Sequence, residues 1–520
     1  MRRIAPLWPL LLGACAAGPD YVPPAPPPAT AAGSFVESQS EQARGVSTEP
    51  AQQAWWRLFA DPTLDRLVGE ALGNNRDIAV AVANLRQARA VLSEARAGRL
   101  PTTDASAGYT RRRIGTASPV AGGLPTDPGA AVPDSFTFDS FSVGFDAAYE
   151  LDLFGRVSRS VEAARGEAGA AAAALDDARV SVAAETALAY IQACGFAERA
   201  EVARETARLQ AHTLDLTQRL FTGGRGTRRD VDRAAALAEQ AKAQVPQFEA
   251  ERRAALYALA TLTGRPPAEL DAEAASCKSP PKVATLIPVG DGAALLKRRP
   301  DVARAERALA AATARIGVAT AALYPSITLL GSVSLGAQNV DDLGKSSSFN
   351  ASVGPLISWS FPNIAVARAR IRQARGAADA RLAEFDGTVL TALRETEQAL
   401  ARYSGVLSQN EALGRAEAAS ANAARLSRLR FDYGADNFLD LLDAERARAE
   451  ARGQLAQSNV AVAESQIALF KALGGGWAGT CAPRPAESAT PQGAASPSAG
   501  PPAGPGPDAS QAQQPAPRSP

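Results

Sequence analysis

The stretch "FSVGFDAAYELDLFGRVSRSVEAARGEAGAAAAALDDA", Phe141 to Ala178, changes its periodicity once, and that change decides the fold. In its first part Phe141, Val143, Phe145, Ala147, Tyr149, Leu151 and Leu153 alternate with Ser142, Gly144, Asp146, Ala148, Glu150 and Asp152. A period of two with one apolar face reads as a strand. From about Arg156 the period becomes helical and continues without a breaker to about Phe221. Such a run of roughly 65 residues, at about 1.5 Å per residue, reaches roughly 100 Å. A helix of that length cannot fill a compact domain. It asks for a coiled bundle, and its many alanines permit close helix approach.

The same pattern occurs twice. Asp77 aligns with Asp301 and Leu100-Pro101 with Tyr324-Pro325, both at an offset of 224. From Val143 onward the offset is 210, matching Ala164-Arg165-Gly166 to Ala374-Arg375-Gly376, Phe221 to Phe431, Gly224 to Gly434 and Gly264 to Gly474. The offset thus drops by 14 residues between about Gly108 and Val143, where the first copy carries a Gly- and Pro-rich loop. Each copy predicts a helix (about Thr63 to Arg99, about Asp301 to Leu323) ended by a proline, then a hairpin, then the very long helix. A Gly-containing turn and a further helix close each copy, about Thr227 to Thr263 and about Asn437 to Leu473. The second hairpin alternates Phe349, Ala351, Val353, Ile357, Trp359 and Phe361 with Asn350, Ser352, Gly354, Ser358 and Ser360, with Pro355 a blemish in the pattern.

Alternation by itself suits a half-buried sheet of a soluble domain. Here each stretch has the length a tilted membrane strand needs, and each leads into a helix that offers a soluble sheet nothing to pack on. Four strands cannot close a barrel in lipid, where the smallest have about eight strands and open edges are not tolerated. Membrane-spanning strands in this chain therefore demand an oligomer.

The 520 residues exceed one ordinary core, and a net charge of +1 with no basic stripe argues against nucleic acid. Arg2 and Arg3 precede a short apolar stretch, Ile4 to Leu12, that reads as an export signal too short to span a membrane. It ends in "LGAC", which resembles the bacterial lipobox and makes Cys15 the candidate lipidation site; Ala16 after it favours the outer membrane by the usual sorting rule. Cys194, in a helical stretch, reads as a small buried apolar residue, while Cys277 and Cys481 are the candidate disulfide. With His212 the only histidine, and with no HExxH, CxxC pair or Walker-type loop, the chain offers no metal, cofactor or catalytic site.

"CAAGPDYVPP" (Cys15 to Pro24), "WWRLFADPTLDRLVGEALGNNRDI" (Trp55 to Ile78) and "YELDLFGRV" (Tyr149 to Val157) resemble outer-membrane efflux lipoproteins of the NodT type, relatives of the TolC exit ducts. The resemblance covers about Cys15 to Trp477. It implies a mainly α fold: a long antiparallel coiled-coil barrel, with four strands per chain entering a trimeric 12-stranded transmembrane β-barrel. It also implies a homotrimer in outer-membrane lipid that docks a periplasmic adaptor and an inner-membrane transporter of the RND class. Such a duct passes small molecules and catalyses no reaction. Two alternatives stand beside it, an exit duct for protein secretion and a lipid-anchored periplasmic coiled-coil scaffold.

The second turn, "FDYGADNFLDLLDAERARAE" (Phe431 to Glu450), holds three more carboxylates of interest. Asn437 is a plausible N-cap, and Asp440 takes the capping-box position, as Thr227 and Asp230 do in the first copy. Asp443 has no such local reason, since its repeat partner is Arg233. The resemblance places Asp443 and Leu439 at a periplasmic aperture, and Asp440 shares their face. A solvated helix charge is the alternative for Asp443. Arg225, Arg228 and Arg229 on the first tip and Asp436 on the second are candidates for an aperture lock. The Tyr–Arg lock of some relatives cannot be carried over, because Phe431 and Asp436 occupy those positions.

The expected organisation is a signal peptide (1–14), a lipid-anchored linker (15–54) and a first repeat (55–264) with strands near 102–111 and 136–153. An equatorial connection (265–299) leads to a second repeat (300–474) with strands near 326–336 and 349–361, then a C-terminal segment (475–520) disordered after about 482.

Overall fold

Two helices replace the single run expected from Thr63 to Arg99. α1 (Pro62–Asn74) starts on Asp61, whose carboxylate accepts the N–H of Thr63 and Leu64, with Pro62 at the first helical position. The chain turns extended at Asn75, whose side chain accepts the N–H of Asp77 and Ile78 and so starts α2 (Arg76–Ala97). An asparagine that caps forward competes with continuing the helix behind it, which is why the run breaks there.

Strands β1 (Thr102–Gly115) and β2 (Ser135–Leu151) follow, then α3 (Arg156–Thr222) of 67 residues and α4 (Arg228–Leu262). Short helices α5 (Ala272–Ser276) and α6 (Gly292–Arg298) lead into the second series. It comprises α7 (Pro300–Ala321), β3 (Ser326–Ala337), β4 (Phe349–Ser358), α8 (Ile364–Asp432) of 69 residues and α9 (Phe438–Ala472). The computed structural model describes residues 17–24, 33, 35–39, 45–50, 54–115, 135–283, 285–359 and 364–475, all in one compact unit. The expected signal peptide, Cys15, Cys481 and the C-terminal tail lie outside them.

The two copies agree in their ends as well as their order. α7 begins and ends 224 residues after α2, and α9 begins and ends 210 after α4. Both long helices stop on a Schellman motif, with Gly224 and Gly434 at φ +71° and +75°. Arg225 N–H donates to Leu220 O, and Ala435 N–H to Arg430 O, both at 2.8 Å. A side chain at that backbone conformation is strained, so glycine specifies both turns.

α3 packs against α4 and α8 against α9 as two antiparallel hairpins, with α3 also contacting α2, α7 and α9. The main core lies midway along these helices. There Trp55, Trp56 and Phe59, in a 3-10 turn, pack with Leu64, Ile191, Leu259, Ile287 and Phe470. Residues 46–47 pair in parallel with 287–288, tying the chain before the first copy to the connection between the copies. Arg66 braces the same level: its guanidinium donates to Asp271 twice and to Glu70 and Glu273, each at 2.9 Å.

A disulfide corrects the cysteine expectation. Cys194, on α3, is bonded to Cys277 at the end of α5, with Cα atoms 5.2 Å apart. Cys194 is buried as expected, but its sulfur is taken, and so Cys277 has none left for Cys481.

Candidate functional site: a two-faced sheet and two hairpin tips

The four long strands form one antiparallel sheet in the order β1-β2-β3-β4. Its register decides what each face carries. Phe141 stands opposite Tyr109 on β1 and Ala337 on β3; Val143 opposite Ala107 and Leu335; Phe145 opposite Ala105 and Val333. β4 continues the rows with Phe349 opposite Leu335, Val353 opposite Gly331 and Ile357 opposite Ile327. One face is therefore apolar from edge to edge. The other carries Asp104, Ser106 and Thr110, then Ser142, Asp146 and Glu150, then Ser332 and Ser334, then Asn350, Ser352 and Ser358. Pro355 falls on an outer strand of the four, the position that tolerates a missing donor.

Among the described residues nothing covers the apolar face. Val143, Phe145, Val333, Phe349 and Ile357 are all exposed, and Val353 is 81% exposed. Tyr109 and Phe141 pack at a centroid distance of 4.9 Å near the end away from the helices; Tyr149 and Trp359 stand near the helical end. From Phe141 to Leu151 the strand spans roughly 33 Å, or about 25 Å along the normal of a bilayer at a tilt near 40°. That is the height of an outward apolar band bounded by aromatic residues.

Far from the sheet, the two hairpin tips differ in charge. At the first, Thr227 and Asp230 form a reciprocal capping box: Asp230 N–H donates to Thr227 Oγ1, and the Asp230 carboxylate accepts Thr227 N–H at 3.2 Å. The Thr227 hydroxyl, donating at 2.5 Å, holds Asp230 below the usual carboxylate range. Arg228 pairs with Asp232 in its own helix, while Arg225 and Arg229 are exposed. At the second tip Asn437 accepts the N–H of Asp440 at 3.0 Å, but the Asp440 carboxylate returns no bond. Asp440 and Asp443 are both exposed with no ion pair among the described residues, and Leu439 beside them is 41% exposed. Asp436 is different: Arg430 of the preceding helix donates to it at 2.7 Å. Within one chain, then, Arg225, Arg228 and Arg229 form no ion pair with Asp436, Asp440 or Asp443 among the described residues.

Sequence reading missed the pair that supports the second tip. Glu445, one turn beyond Leu441 on α9, is 5% exposed and accepts from Arg428 of α8 at 2.9 Å. The separation is only 17 residues, but it runs across a turn whose register the helical period does not supply.

A helical wall of this length, ending in a sheet with one lipid-matched face, defines a channel-forming membrane protein rather than a soluble domain. Residues 67–265 and 293–475 match the family described as Outer membrane efflux protein, and the chain belongs to that family. It is 30% identical to Nodulation protein T of Rhizobium leguminosarum bv. viciae, over 94% of this chain and 96% of that one. It is 32% identical to the toluene efflux pump outer membrane protein TtgI of Pseudomonas putida, over 90% of this chain and 97% of that one. The solved outer-membrane channel OprN superposes with a TM-score of 0.80 at 37% identity, covering 89% of this chain and all of that one. The chain is an outer-membrane efflux channel protein, of a non-enzymatic transport family, and a component of an efflux pump.

Proposed function

We propose that three copies of this chain join their sheets edge to edge as one 12-stranded barrel, continued by a helical tunnel that carries small molecules outward. The carrying observation is the sheet itself: an unbroken apolar face with open edges at β1 and β4. Open edges are not tolerated in lipid, and four strands are too few to close. The number three rests on the resemblance. A tethered scaffold without a channel leaves the apolar face unexplained.

In this reading the tunnel receives its cargo from an inner-membrane transporter, of the RND class, through a periplasmic adaptor. A lipid on Cys15 holds the N-terminal segment at the membrane. Its support is the seat of Ala17, whose N–H donates to Phe154 O at 3.0 Å, just past the end of β2. Ala17, two positions after the lipidation candidate, is thereby held at the sheet's helical end. Gly18 makes the fit possible: at φ +94°, a Cβ there would lie 2.5 Å from Gly317 Cα. Cys15→Ala is expected to lose palmitate labelling while the protein stays resistant to membrane extraction.

The exposed Asp443, Asp440 and Leu439 ring the periplasmic aperture, and three copies of Asp443 give the neck a negative field that favours cations. Arg225 and Arg229, without an ion pair among the described residues, are the cations available to a neighbouring copy's second tip. Single-channel conductance in planar bilayers tests both levels. Discrete channels whose cation selectivity falls in Asp443→Ala support the duct and the ring. Channels unaltered by that change keep the duct and return Asp443 to a solvated helix charge, and a folded oligomer with no conductance in any variant counts against the duct.

A further inference from the structure

The apolar face does not end in neutral residues. Two positions beyond Tyr109 on β1 comes Arg111, opposite Asp139, and two beyond that Arg113, opposite Thr137. By the strand period both share the face of Tyr109 and Phe141, whereas Arg112 between them belongs to the polar face. Arg111 and Arg113 are exposed. Asp139 is the only carboxylate on this face of β1 and β2 beyond the aromatic pair. It lies 3.8 Å from Arg111 Nε and already accepts the Tyr109 hydroxyl at 2.9 Å. Arg113 donates to the Ser135 hydroxyl at 2.8 Å and has no carboxylate partner among the described residues.

Height matters here. The Tyr109–Phe141 pair marks the outer limit of the apolar band, because aromatic rings settle at the boundary between acyl chains and headgroups. Side chains on the same face, roughly 7 and 14 Å further along the strand, emerge where lipid headgroups lie. A guanidinium presents a planar fork that bonds phosphate oxygens in pairs, and it sheds its water more readily than an ammonium. A cation facing the lumen needs no such partner, and Arg112 supplies the comparison within one strand.

We propose that Arg111 and Arg113 form a binding site for the phosphate groups of a phosphorylated glycolipid in the outer leaflet. The site holds the barrel rim at a set depth. The proposal rests on the reading that the sheet spans the membrane with its apolar face to lipid.

The test reconstitutes the full-length oligomer in phosphatidylcholine vesicles with and without lipid A, then measures the lipid A retained per protein after repurification. Wild type is expected to retain it, and Arg111→Gln/Arg113→Gln to retain roughly tenfold less. Arg112→Gln is expected to behave as wild type. Channel activity of the double variant in plain phosphatidylcholine confirms that its barrel is intact. Equal retention by the double variant overturns the site, as does an equal loss in Arg112→Gln. Displacement by inorganic phosphate as effective as by lipid A overturns the lipid as its ligand. If wild type fails to insert even in plain phosphatidylcholine, the spanning reading fails first and the site falls with it.

Discussion

The indole of Trp55 lies flat on the ring of Phe470, with centroids 4.9 Å apart and planes 14° from parallel. One ring opens the first copy of the repeat and the other is near the end of the second. Both sit in the core where the helices of the two copies meet, so this stack fastens the start of the first copy to the last helix of the second. Trp55→Ala removes the largest fully buried side chain and leaves a cavity worth about 3–5 kcal/mol. We expect a fall in thermal stability, read by light scattering or circular dichroism. Phe470→Leu is expected to cost less, since it keeps part of the volume.

Arg428 and Glu445 join the two helices of the second hairpin where Glu445 is nearly inaccessible. Arg428→Leu leaves the buried carboxylate only Arg448, 4.0 Å away, and is expected to destabilise the hairpin by about 2–3 kcal/mol, less than a fully buried pair because Arg428 is partly solvated. The double variant Arg428→Leu/Glu445→Leu should recover much of that loss. Hydrogen exchange of residues 425–448 reads the effect locally; a double variant as unstable as the single one contradicts the buried-charge account.

The disulfide makes a mass-spectrometric prediction and a thermodynamic one. A non-reduced digest is expected to contain a peptide pair joined through Cys194 and Cys277, leaving Cys481 outside that bond. With a sequence separation of 83, breaking the link loosens the unfolded chain by about 4.5 kcal/mol in the loop-entropy model. Cys194→Ala/Cys277→Ala should lower the unfolding temperature, and a reductant should lower that of wild type but not of the variant.

Acid sensitivity should concentrate at Asp271. Hydrogen bonds from Arg66, and further the N–H of Ala274, hold its carboxyl below the ordinary range against the opposing effect of burial. A depressed carboxylate contributes stability that is complete above its unfolded pKa, about 3.9, and is lost as pH falls through the folded value. Unfolding temperature is therefore expected to show no Asp271 dependence between pH 5 and 8, by about the reference values of carboxylates. Asp271→Asn should flatten the decline below about pH 4 and cost about 1–2 kcal/mol at neutral pH. A variant whose acid limb matches wild type removes Asp271 from the account.

The N-terminal strap gives a steric prediction. Gly317 lies under Ala17 and Arg159, and a Cβ added there would come within 2.7 Å of the Arg159 side chain and 2.9 Å of Ala17 O. Arg159 in turn holds Asp20 at 2.6 Å. Gly317→Val is expected to unseat residues 17–20, exposing them to protease, while Asp20→Asn loosens them less. Equal protease resistance in Gly317→Val and wild type would remove the close fit as the cause.

Much of this protein is legible in one dimension because its chemistry is periodic. Alternation in Phe141 to Leu153, a helical period unbroken for dozens of residues, and glycines repeated at Gly224 and Gly434 are local signals, each dictated by backbone geometry and the need to bury one face. The duplication reinforced them, since two stretches with the same order of elements obey the same packing. Asn75 shows the limit of periodicity: the helical period continues through it, while its capping side chain ends one helix and begins another.

What the tertiary structure alone decided is pairing. Which residue stands opposite Phe141, and hence that four strands share one apolar face, depends on register between segments nearly two hundred residues apart. Cys277 chose Cys194, Glu445 found Arg428, and Trp55 found Phe470 for the same reason. A side chain's period follows from its own backbone, but its partner is set by how whole helices and strands settle to exclude water and satisfy buried charge.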